Sequence, residues 1–407
     1  MSVNQMQIED VYQVLNQLHA DATGGQAIAV DTSSFVSVAQ DTLSAGVDPV
    51  YNILMNTIAK TIFSSRPYSR QFKGLVVDNL KWGGIVRKVS YGDTDAVADT
   101  AFTGLPADGQ SVDHYIINRG EQIETRFYGS TVYEDYFTVF REQLITSFDS
   151  AEQLGGFIAA KTQEINNKWT QWVENMARGM VCNFIMANLD TNTWRVDLLS
   201  EYNALTNITP ALTYQDIWRP PYSKPFWEYV RARIKTISRQ FEQRSEMYQW
   251  KLVDTKSSST PKPFLHIYRH TPVSKQKIYM LAQYMDLMET STLANTFNED
   301  YLKYADVEKV AYWQDIAYPD YVMVNKYTAL DGSGVNNSYI DNTSGTPTIG
   351  HILGIIFDED LMGINIKDTI ISNTPMNSRG LYFDTYLHAH TQYWTDFSEK
   401  GVVLTLD

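Results

Sequence analysis

Val11, Val14, Leu15 and Leu18 recur at three- and four-residue steps within residues 6–19, which predicts a short amphipathic helix ending before Gly24 and Gly25. A stretch of small, weakly patterned residues follows to about Ala45 and reads as a flexible segment. Asp48 and Pro49, a cap followed by proline at the first helical position, then open a second helix. Its apolar stripe is Ile53, Leu54, Ile58 and Ile62, with Pro67 beyond its end. Two short helices with so little core of their own need an external surface to be stable.

Residues 80–128 read as a long hairpin. Ile85, Val89 and Tyr91 mark the first strand, and Ile123, Thr125 and Phe127 alternate with Gln122, Glu124 and Arg126 on the second. The tip between them is rich in Gly, Asp and Pro. An isolated two-stranded ribbon is marginal in water, so a projecting one must lie on another domain or another molecule. Residues 150–188 carry the strongest helical pattern, from Leu154, Phe157 and Ile158 through Trp169, Trp172 and Val173 to Met180 and Phe184. Glu164 with Lys168 and Glu174 with Arg178 add pairs four apart on what reads as the polar side. Such a helix spans roughly 55 Å, a spine more than a packing element, although Gly155-Gly156 could shorten it at the front.

Residues 195–375 mix both periods. One helix is predicted from Pro225 with Phe226, Tyr229, Val230, Ile234, Ile237 and Phe241 inside. Another is predicted from Thr271-Pro272 with Ile278, Leu281, Met285 and Met288 inside. Strand candidates at 264–268, 321–324 and 351–357 interleave with them, giving an α+β region around a central sheet. The loop 331–348 is aperiodic surface. Finally, residues 377–407 run through Tyr382, Phe383, Tyr386, Tyr393, Trp394 and Phe397 to Gly401 and a short apolar Val-Val-Leu-Thr-Leu.

Composition narrows the class. A chain of 407 residues implies two or three domains, and 43% hydrophobic with 13% aromatic residues is ample for packed cores. No apolar run is long enough for a transmembrane helix, and the first ten residues lack the basic and apolar regions of a signal peptide. The one cysteine, Cys182, rules out an internal disulfide framework and reads as a small buried residue. A net charge of −14 argues against a general nucleic-acid binder and suits a protein that stays soluble at high concentration.

Candidate chemistry is sparse. His388 and His390 share one face of a predicted strand but lack a third ligand. Asp331-Gly-Ser-Gly-Val-Asn-Asn begins like a calcium loop, yet Val335 occupies the fifth position and no Glu closes the twelfth. Arg231, Arg233, Lys235, Arg239 and Arg244 concentrate positive charge on the helix after Pro225, either as a solvated face paired with Glu228, Glu242 and Glu246 or as a contact for a polyanion. No phosphate loop, nucleophile elbow or zinc-protease motif occurs, so neither an enzymatic site nor a cofactor or metal is expected.

The order of parts, with Glu124-Thr-Arg-Phe-Tyr128, Leu293-Ala-Asn-Thr-Phe-Asn298, Val307-Glu-Lys-Val-Ala-Tyr312 and Asn377-Ser-Arg-Gly-Leu-Tyr-Phe383, resembles the major capsid proteins of tailed bacteriophages. The nearest in character are those of short-tailed, phi29-like phages. The resemblance implies the α+β HK97-like capsid fold: an N-terminal arm (1–72), an extended β-hairpin loop (73–129), a peripheral domain with the spine helix (130–195), an axial domain (196–371) and return strands of the peripheral domain (372–407). It implies a structural role in the virion capsid, with copies made in the bacterial cytoplasm assembling as pentamers and hexamers into an icosahedral or prolate shell around double-stranded DNA. A portal protein is an implied partner. No C-terminal immunoglobulin-like module is expected, nor an N-terminal scaffold extension, and the latter absence leads to the expectation of a separate scaffolding protein. Ile85, Arg87, Tyr91, Phe102, Ile123 and Phe127 become candidate subunit-interface residues, and Arg231, Lys235 and Arg239 candidate contacts to DNA or scaffold. In one branch of the fold a Lys-to-Asn bond links subunits; Lys73, Lys81 and Lys88 lie in or near the hairpin, but no catalytic partner is evident. Two alternatives remain: an encapsulin-like shell protein of the same fold, and a receptor- or carbohydrate-binding virion protein, which 26 tyrosines would suit.

Overall fold

The computed structural model describes residues 8–25, 28–44, 46–48, 50–55, 71–77, 86–92, 115, 122–127, 130–188, 194–250, 267–293, 307–324, 326–330, 337–341 and 348–407. Its axis is a single helix, Ala151–Ala187, of 37 residues. Ser150 caps it by accepting a hydrogen bond from the Gln153 amide, and the helix runs unbroken through Gly155-Gly156. Packing is tight at Gly155: a Cβ there would lie 3.0 Å from Val11 Cγ2 on the first helix, Ile8–Thr23. The front of the spine, through Leu154, Ile158 and Ile165, belongs to one hydrophobic core, and its rear, from Ala177 to Ala187, belongs to another. Spine is therefore a physical description.

The front core is closed by a three-stranded antiparallel sheet whose order is Met362–Asn373, Tyr382–Thr395, Ser130–Phe140. Phe137, Val139, Phe383 and Leu387 point from this sheet toward the N-terminal helices. The segment expected to be flexible before Ala45 contains a second helix, Thr32–Ser44, which buries Phe35, Val38 and Ala39. Residues 47–55 are helical apart from undescribed position 49, and Tyr51 stacks on Phe383 with ring centroids 4.3 Å apart. The Tyr51 hydroxyl lies 2.6 Å from Thr385 Oγ1. The surface these helices need is thus supplied by their own chain. Ile58 and Ile62 lie outside the described residues.

The rear core is built on a five-stranded sheet in the order Arg195–Asp197, Gly401–Thr405, Ile352–Asp358, Gln276–Leu281, Val307–Val310. Helix Ser223–Glu242 packs Phe226, Trp227, Val230, Ile234, Ile237 and Phe241 into this core. Residues 377–407 are consequently divided between two sheets, and 396–400 is the crossing. Gly401 permits it, because a Cβ there would meet Leu361 at 2.6 Å and Phe184 at 2.7 Å.

The helix expected from Thr271-Pro272 begins later. Pro272 is extended and leads into the strand Gln276–Leu281, and the helix is Ala282–Leu293. A central strand covered on both faces reads as a continuous apolar run, which periodicity alone does not separate from a buried helix. Thr271 caps nothing; its hydroxyl donates to Asp358 Oδ2 at 2.6 Å. Of the other strand candidates, Val322–Met323 and Ile352–Asp358 are strands, whereas most of 264–268 lies outside the described residues.

Candidate assembly interface

The hairpin is present as Val86–Tyr91 paired antiparallel with Gln122–Phe127, with Val86 opposite Phe127 and Tyr91 opposite Gln122. The described part is its base; residues 93–114 and 116–121, including Phe102, lie outside the described residues, as does Ile85. Strand alternation gives the ribbon two faces. Arg87, Val89, Tyr91, Gln122, Glu124 and Arg126 are exposed, with Tyr91 at 69%. Ile123, Thr125 and Phe127 are half-buried and share the inner face with Val86, Lys88 and Ser90. The expected interface residues therefore separate: Arg87 and Tyr91 look outward, while Ile123 and Phe127 look toward their own subunit.

Like charges facing each other across a ladder repel, and Arg87 is directly opposite Arg126. Glu124 resolves this. Its Oε1 accepts from Arg87 Nε at 2.5 Å and from Arg126 Nε at 2.8 Å. The Arg87 and then the Arg126 hydrogen bond hold the Glu124 carboxyl down at about 2, so it stays ionised across the whole physiological range. The open face is a mixed polar and aromatic surface.

The inner face is tied to the body by charge. Lys88 Nζ donates to Asp396 and Glu399, and Arg269 donates through Nη2 to Ser90 Oγ at 2.8 Å while its Nη1 lies 3.3 Å from Glu399. Burial raises the Glu399 carboxyl above the usual range, against the opposing pull of Lys88 and Arg269. Sequence reading missed this cluster. Its trace was the charged run 396–400 interrupting two apolar strands, together with Lys88 falling on the opposite parity from Arg87.

A second unanticipated centre is Arg178. The pattern placed it on the polar side of the spine, yet it is 7% exposed. Its guanidinium donates to the carbonyls of Tyr312 and Trp313 and to Glu174 Oε1 at 2.7 Å, and lies 3.9 Å from the Tyr312 ring centroid. It joins the spine to the 312–313 segment beside the five-stranded sheet.

Elsewhere the candidate residues give structure more than chemistry. Arg239 is exposed, whereas Arg231 and Lys235 are half-buried. Arg233 pairs with Glu201 through two bonds of 2.7 and 2.9 Å, a partner not among those expected. His388 Nδ1 lies 3.7 Å from Glu134 Oε2, and among the described residues no three His, Cys, Asp or Glu side chains are grouped to hold a metal. Cys182 is buried, donates weakly to the Trp313 carbonyl, and burial pushes its thiol up to about 12. The calcium-like loop from Asp331 falls largely outside the described residues. Among the described residues no helix is long and apolar enough to cross a membrane.

These features define a class: a mixed α+β protein matching HK97-like phage capsid structures. The structure is similar to a chain of the capsid of Staphylococcus phage Andhra, with a TM-score of 0.52, 10% identity and coverage of 83% of this chain and 84% of that one. It is likewise similar to a chain in the structure of the head fiber and inner core protein gp22 of native bacteriophage P68, with a TM-score of 0.50, 10% identity and the same coverages. The chain belongs to the Phi29-like phage major capsid protein family, whose model matches residues 15–405. It is thus a structural component of the virion, the protein that forms the head shell of a tailed phage, and not an enzyme. No curated protein matches the chain.

Proposed function

We propose that copies of this chain gather as pentamers and hexamers, and that these close an icosahedral or prolate shell around double-stranded DNA. The observation that carries the mechanism is the two-faced hairpin base: one face is held by the subunit, and the other leaves Arg87, Val89 and Tyr91 exposed. A ribbon so presented gains stability from a neighbouring subunit, and the same heterologous contact repeated around an axis generates closed rings. In this reading residues 1–72 form the N-terminal arm, 73–129 the extended loop, 130–195 with 362–395 the peripheral domain, and 196–361 with the strand Gly401–Thr405 the axial domain. That last assignment follows the sheet in which Gly401–Thr405 lies.

A separate scaffolding protein and a portal protein would complete assembly. DNA would be enclosed without sequence-specific contact, as suits a net charge of −14. Arg239, exposed on its helix, is the candidate of the basic cluster best placed to meet DNA or scaffold, with Arg231 and Lys235 beside it. Deleting residues 92–110 tests the hairpin. When the chain is co-expressed with its scaffolding protein, negative-stain microscopy should show folded subunits that fail to close shells. Normal shells from the deletion variant would refute the hairpin's role.

A further inference from the structure

Three parts of the chain meet at one buried, charged point: the hairpin base, the segment around Arg269, and the turn 396–400 that carries the chain from one sheet to the other. We propose that this point is a latch fixing the angle at which the hairpin leaves the subunit, with Lys88 as its removable half. Among the described residues Lys88 is the only charged side chain on the inner face of the ribbon, and it bonds both Asp396 and Glu399. It therefore fastens the hairpin to the junction between the sheets and not to either sheet.

The two halves differ in how firmly they are held. Asp396 Oδ1 accepts from Ser398 N at 2.9 Å and Ser398 Oγ at 2.6 Å, so its carboxylate is fixed by its own turn whether or not Lys88 is present. The side chains of Asp396 and Glu399 are 5% and 8% exposed, whereas that of Lys88 is 24% exposed and already reaches water. Arg269 remains to neutralise Glu399 if Lys88 withdraws, and among the described residues its buried Nε has no hydrogen-bond partner. The groups facing Glu399 are Lys88, Arg269 and Asp396. Lys400, next in the chain, turns away to the Gln243 carbonyl and Ser245 Oγ. Burial works against the charge on Glu399, opposed by Lys88 and Arg269.

Hydrogen exchange on unassembled subunits tests the latch independently of whether the hairpin contacts a neighbour. In Lys88→Met and Glu399→Gln, amides in 86–91 and 122–127 should exchange roughly tenfold or more faster, the loss expected for a charged hydrogen bond, while those of Ala151–Ala187 stay unchanged. Lys88→Arg should keep wild-type protection. Should Lys88→Met not fold, Glu399→Gln decides: selective hairpin deprotection in that variant supports the latch. Unchanged hairpin protection in Glu399→Gln would overturn it. So would loss of protection spread equally over hairpin and spine.

Discussion

Lys400 has no exposed surface, and its ammonium donates to the Gln243 carbonyl and Ser245 Oγ, both at 2.9 Å. Desolvation lowers its pKa to about 8 from 10.5. Between those values the unfolded chain binds more protons than the folded one, so this group makes stability rise as pH rises through the window. Urea unfolding of unassembled subunits at pH 7.5 and 9.5 should show that gain, and Lys400→Met should flatten it; an unaltered slope in the variant would exclude Lys400 as its source. Tyr51 offers a second check at this scale, since burial pushes its hydroxyl up to about 12 and its ring stacks on Phe383. Tyr51→Phe should cost about 1 kcal/mol and Tyr51→Ala about 3–5 kcal/mol, read from the same unfolding curves. Neither residue's role was legible in the sequence. Burial of Lys400 depends on a crossing between two sheets, and the partner of Tyr51 is 334 positions away.

Among the elements, the spine and the hairpin were legible because each shows one uninterrupted period. The strand Gln276–Leu281 was not, since burial on both faces erases the alternation that identifies a strand. The helix Thr32–Ser44 was missed for the opposite reason: small and hydroxylated residues give it a weak pattern, and tertiary packing of Phe35 decides it. Gly155 and Gly156 looked equivalent in sequence, but only the first is pressed by Val11. Gly155→Val should destabilise by about 1–3 kcal/mol by forcing the first helix off the spine. Gly156→Ala, with open space around its Cβ, should stabilise by about 0.5–1 kcal/mol. Thermal unfolding of both variants gives the comparison, and equal effects would contradict the packing described here.

For the whole molecule, the class of protein was recoverable from one chain. Which face of the hairpin is open was not, because that depends on where Lys88 finds its carboxylates. Of the expected interface residues, the subunit half-buries Ile123 and Phe127 and leaves Arg87 and Tyr91 open. In the proposed assembly the open face is completed by a second copy of the chain. A cryo-EM reconstruction of the assembled head tests it most directly. It should place Arg87, Tyr91, Gln122 and Arg126 against a neighbouring subunit, with Lys88 still turned toward its own Asp396 and Glu399. A hairpin whose outer face meets only solvent or its own subunit would contradict the account.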